Sequence, residues 1–136
     1  MVKKIENDKK VESDIGLVDE LFELCKNLSS MEAHAIGSYN STKDEKWLEV
    51  KEIVRSIRTK YLSMIVKKND GQLWCFSKHS CEACMRLEEC SARFLSTKQL
   101  KSAKSCLEDY RKIIKLFLLL NDFGGENVST NAKSSA

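Results

Sequence analysis

Six cysteines and two histidines hold most of the metal and thiol chemistry open to this chain. Four of the cysteines and one histidine fall in a single stretch, Leu73 to Leu95 (LWCFSKHSCEACMRLEECSARFL). The spacing there is Cys75-x5-Cys81-x2-Cys84-x5-Cys90. Four thiolates can hold a 4Fe-4S cluster or a zinc ion, and a Cys-x2-Cys pair presents two of them to one centre. A second group of ligand type consists of His79 and Glu82, with Cys75 a turn away, and of Glu32 and His34. Glu32 also stands out alone, because a buried carboxylate is costly unless it is paired.

Helix geometry opposes the four-cysteine centre. The same stretch reads as one amphipathic helix, with Phe76, Ser80, Ala83, Leu87, Cys90 and Phe94 on one face. At 100° per residue, Cys81, Cys84 and Cys90 point roughly 240°, 180° and 60° away from Cys75. A shared centre needs a break in the helix, and no Gly, Pro or Asn lies between Cys75 and Cys90 to make one. The expectation is therefore a continuous helix with Cys90 buried, Cys84 on the flank of the core and Cys81 on the outer face. The second group meets a similar limit. Di-iron bundles use Glu-x-x-His on two helices; here the order is His79-x-x-Glu82 and there is no second copy. In an up-down bundle His34 and His79 would lie on the order of 20 Å apart.

The elements that position these residues follow from periodicity. Four amphipathic helices are expected near 14–39, 43–67, 71–95 and 97–121. The first, capped by Ser13 or Asp14, turns Val18, Leu21, Cys25, Leu28, Glu32, Ala35 and Tyr39 inward. Glu32 is the one charge on any of the four stripes, and Arg86 is its expected partner. The second starts at a Thr42–Glu45 capping box and buries Trp47, Val50, Val54, Ile57, Tyr61 and Met64. Asn69-Asp70-Gly71 is a turn. The fourth starts at a Ser96–Gln99 capping box and buries Leu100, Ala103, Leu107, Tyr110, Ile114 and Phe117. Short loops and one stripe per helix make an all-α antiparallel up-down four-helix bundle the natural solution. It would occupy residues 13–123, between a flexible lead-in at 1–12 and a small polar tail at 124–136 that reads as disordered.

Two resemblances bear on these residues. Cys81-x2-Cys84-x5-Cys90 resembles the closing part of the 4Fe-4S loop in endonuclease III-type DNA glycosylases. The first gap departs from that pattern, with five residues where the family has six, and the flanking glycosylase motifs are missing, so no repair activity is implied. MEAHAIGSYNSTKDEKWLEV, GQLWCFSKH and MRLEE, within residues 31–95, are similar to an uncharacterised family of small archaeal helical-bundle proteins. In that family Glu-x-His, Leu-Trp-Cys and Lys-His elements recur in this order. The likeness implies a soluble helical protein and no specific activity.

Composition sets the remaining bounds. With no proline and five glycines the chain has little to break long helices. The net charge of +3 is mild, and acidic and basic residues are interspersed, which disfavours nucleic acid as a partner. The first residues, MVKKIENDKKVESD, have no apolar core of a signal peptide. The longest apolar run, Leu116 to Leu120, is far shorter than the roughly 20 residues of a membrane span. A cytoplasmic protein that does not engage membranes is expected. No phosphate loop or Ser-His-Asp grouping is present. The leading expectation is a non-enzymatic protein-interaction or self-association module. The alternative is a metalloprotein that binds a 4Fe-4S cluster or zinc through Cys75, Cys81, Cys84 and Cys90 in a redox, sensing or structural role.

Overall fold

A computed structural model describes residues 14–68 and 71–123 of the chain. The expected lead-in, the tail, and the Asn69-Asp70 turn lie outside them. Four helices are present: α1 (Ile15–Thr42), α2 (Lys46–Leu62), α3 (Gly71–Ser96) and α4 (Leu100–Leu120). No strand occurs among the described residues. The chain is all-α. It divides into two compact units, Met1–Ile65 and Val66–Ala136, each built on one helical hairpin.

The first hairpin pairs α1 with α2. Asp14 caps α1 by accepting a hydrogen bond from the Leu17 amide at 3.1 Å. The helix passes through Gly37 and the Asn40-Ser41 pair to Thr42, three residues beyond the expected end. It stops at Lys43, a left-handed residue with φ 58° whose amide donates to Tyr39 O. The Thr42–Glu45 capping box does not form. Thr42 belongs to α1 and donates to Ser38 O, whereas the Asp44 carboxylate accepts from the Lys46 amide at the start of α2.

The inward face of α1 is as periodicity requires: Val18, Leu21, Cys25, Leu28, Glu32 and Ala35 are buried and Tyr39 is half-buried. On α2 the face is rotated from the expected stripe. Val54, Arg58 and Leu62 are its buried line, while Trp47, Val50, Tyr61 and Met64 are half-buried. Ile57 and Ile53 face solvent. Arg58 moves the line, because its guanidinium turns inward to the Glu32 carboxylate.

The second hairpin pairs α3 with α4. Its antiparallel register is fixed by contacts across the turn, Cys84 with the Tyr110 carbonyl and Ser77 with Asn121. The buried line of α3 is Ser77, Ser80, Cys81, Cys84 and Ser91. This corrects the expected stripe: Phe76 is exposed, Ala83, Leu87 and Phe94 are half-buried, and Cys90 is exposed. Hydrophobic periodicity overlooks a line of small side chains. Small residues let two helix axes approach closely, and these serines satisfy their own hydroxyls. Ser80 Oγ donates to Phe76 O and Ser91 Oγ to Glu88 O. Opposite them α4 buries Ala103 and Phe117, while Tyr110 and Ile114 are half-buried and Leu100 and Leu107 are exposed.

Both helices of this hairpin end in Schellman motifs. Gln99 N donates to Phe94 O and Lys98 N to Leu95 O around left-handed Lys98 (φ 61°). Phe123 N donates to Leu118 O and Asp122 N to Leu119 O around left-handed Asp122 (φ 62°). The Ser96–Gln99 capping box is absent, since Ser96 Oγ donates to Arg93 O and Gln99 Nε2 to Thr97 Oγ1. Asn121, 2% exposed, ties the hairpin's open end. Its Oδ1 accepts from Lys67 N at 2.8 Å, and its Nδ2 donates to Ser77 Oγ and Phe117 O, each at 3.0 Å. A non-glycine residue in the left-handed region costs roughly 1–2 kcal/mol. Lys98→Gly is therefore expected to stabilise the chain by about 1 kcal/mol in urea unfolding, less glycine's own entropic cost. A loss of stability would show that the Lys98 side chain contributes more than its backbone costs.

Candidate functional site

The polar interior of the first hairpin is built around Glu32. Arg58 Nε donates to Glu32 Oε2, and Arg58 Nη2 donates to Oε1 at 3.3 Å. Both side chains are shielded, with 5% of Arg58 and 12% of Glu32 exposed. The expected partner, Arg86, is on the exposed surface of α3. Arg58 holds that role because the α1–α2 turn brings it level with Glu32. Cys25, Ser29 and Lys26 are buried on the same helix as Glu32. Burial pushes the Cys25 thiol up to about 12, opposed by the nearby positive charge of Arg58. Lys26, 1% exposed, reaches Glu23 at 2.8 Å. Ser29 Oγ and Arg58 Nη1 are buried without a hydrogen bond among the described residues. The two-point contact between the Glu32 carboxylate and the Arg58 guanidinium ties α1 to α2.

The cysteines of α3 do not converge. The helix runs unbroken through them from Gly71 to Ser96. Cys75 and Cys90 are exposed, whereas Cys81 and Cys84 are 1% and 0% exposed. The thiol of Cys84 lies 3.8 Å from Tyr110 O, which it meets as a weak donor. Continuity holds as expected, but the faces are exchanged: Cys81 is inside and Cys90 outside. The hairpin contact selects the line through Ser77, Cys84 and Ser91, and Cys90 lies about 140° away from Ser77 around the helix.

The histidine group is partly assembled. His79 Nδ1 and Glu82 Oε1 lie 2.8 Å apart on the outer face of α3, with Cys75 exposed one turn before His79. His34 is exposed on α1, and Glu32 is engaged by Arg58. Among the described residues no three His, Cys, Asp or Glu side chains are gathered closely enough to hold one ion.

Arg58, Ser77, Ser91 and Asn121 escaped the sequence reading. A polar residue on a buried face has no periodic signature of its own. The signal for Arg58 was its phase, one turn from Val54 and one from Leu62. Ser77, Cys84 and Ser91 repeat every seven residues, which marks a helix contact only when small residues are counted with apolar ones.

Two outcomes follow. Glu32→Gln removes the charge that compensates Arg58 and is expected to cost about 3–5 kcal/mol. Glu32→Leu combined with Arg58→Met is expected to restore most of that in urea unfolding; a double variant as unstable as the single one would locate the loss elsewhere. Thiol labelling of native protein should modify Cys75 and Cys90 quickly and Cys25, Cys81 and Cys84 slowly. The folded-state value for Cys25 lies above its ordinary 9.0, so its stabilising effect is complete below pH 9 and fades as pH rises toward about 12. Uniform labelling of all the cysteines at neutral pH would contradict this placement.

Compared with known proteins, the chain matches no family model, no curated protein and no solved structure.

Proposed function

We propose that this protein is a non-enzymatic interaction module that works by self-association or by binding a protein partner. The observation that carries the reading is a line of exposed apolar side chains along one side of each hairpin. On α1, Leu17, Leu24 and Met31 recur every seven residues and remain 41%, 37% and 52% exposed. They lie about 100–140° around α1 from Val18 at the centre of its buried face. On α2, Ile53 and Ile57 are displaced from the buried line in the same rotational sense, and they are 62% and 36% exposed. In an antiparallel pair, equal displacements in one sense fall on the same side. The second hairpin repeats the arrangement with Phe76 on α3 and Leu116 and Leu120 on α4. Its opposite side carries Leu100 and Leu107, 55% and 43% exposed, together with Glu89 on α3 and Lys104, Glu108 and Lys115 on α4. Contiguous exposed apolar residues rimmed by charge are a mark of protein contact surfaces. No helix among the described residues is long and apolar enough to cross a membrane.

Self-association is the form open to direct test. Sedimentation or light scattering across a concentration series is expected to show mass above that of one chain. Leu24→Glu with Met31→Glu should return the protein to a single chain with its helicity unchanged. A wild-type protein that stays single at every concentration would remove self-association.

A further inference from the structure

The outer face of α3 carries a pair of ligands that the apolar sides do not use. Cys75 and His79 are four residues apart, so their Cβ atoms lie about 5–6 Å from each other on one face. This is the spacing at which two side chains of one helix can grip one metal ion. Both are open to solvent: Cys75 is exposed and the His79 side chain is 69% exposed. The second observation concerns the imidazole. His79 Nδ1 is engaged by Glu82 Oε1 at 2.8 Å. A ring that donates from Nδ1 to a carboxylate has its Nε2 lone pair free to ligate, and this carboxylate–histidine arrangement supports metal-bound histidines generally.

We propose that Cys75 and His79 form half of a zinc site that a second copy of this chain completes. The donor set sets the metal and the partner together. Zinc in a closed site takes four ligands in a tetrahedron, and two thiolates with two imidazoles are a set it favours. One chain offers one thiolate and one imidazole here, and no third His, Cys, Asp or Glu among the described residues joins them in a metal-holding group. Two copies related by a two-fold axis supply Cys75 and His79 twice, which is the symmetry of most homodimers. Each thiol gives its proton to buffer as it binds, and no redox change occurs. The two thiolates neutralise the ion. Glu82 is a positioning residue that fixes the ring through Nδ1.

The site lies on the second hairpin and does not depend on the apolar sides for its ligands. The experiment is a zinc titration of the full chain in a phosphine reductant, with metal content and mass followed together. One zinc per two chains and a doubling of mass are expected, reversed by a chelator. Cobalt(II) in place of zinc should give thiolate-to-metal charge-transfer absorption. Cys75→Ser and His79→Gln should each abolish the zinc-dependent doubling. Glu82→Gln should weaken zinc binding by roughly 10–100-fold. Cys90→Ser, at another exposed thiol of α3, should change nothing. Leu24→Glu with Met31→Glu should also keep the zinc-dependent step, so that association without zinc tests the apolar-side reading and association with zinc tests this one. One zinc per chain without a change of mass, or a doubling that survives Cys75→Ser, would overturn the proposal.

Discussion

A carboxylate leaves water at a cost of several kcal/mol unless a partner goes with it. Glu32 sits on the buried face of α1, so the first hairpin is favoured in a register that brings a cation to it. Arg58 is that cation. Meeting Glu32 sets both how far α2 slides along α1 and how α2 is turned about its own axis. The turn carries Val54 and Leu62 inward beside Arg58 and sends Ile53 and Ile57 outward. The apolar side of this hairpin is thus a consequence of where the ion pair had to be placed.

The second hairpin has no buried ion pair among its described residues and solves its contact differently. Serines and cysteines make a thin seam on α3, and their hydroxyls bond to the helix's own carbonyls or to Asn121. A thin seam allows α4 to lie close, with Ala103 and Phe117 filling the contact. The larger side chains of α3, Phe76, Leu87 and Phe94, are displaced about a quarter turn from that seam. Asn121 supplies at the open end the specificity that Glu32 and Arg58 supply in the first hairpin. It joins the chain entering α3, α3 itself and the end of α4 by three hydrogen bonds.

These contacts also sort the thiols. Cys25, Cys81 and Cys84 are core residues, and a buried thiol behaves as a small hydrophobe. Cys75 and Cys90 lie outside, where a thiol is available for chemistry. Cys75 alone of these two has a histidine one turn away whose ring is held by a carboxylate. The packing leaves outside the exposed apolar side chains and the Cys75–His79 face.

The sequence by itself determined the helices. Absent prolines, scarce glycines and apolar residues recurring every three to four positions leave few other structures open, and α1 kept its whole inward face. It also determined that α3 is continuous through its cysteines, because nothing in that stretch can break a helix. Tertiary structure decided the rotation of α2 and α3 about their axes, since periodicity locates an apolar stripe but not which edge of it meets a neighbour. It made Arg58 the partner of Glu32, a choice between two arginines that depends on a hairpin register. It placed Cys81 inside and Cys90 outside for the same reason. It also ended three helices at Lys43, Lys98 and Asp122 without glycine. Backbone hydrogen bonds to the last carbonyls offset the strain of these left-handed residues.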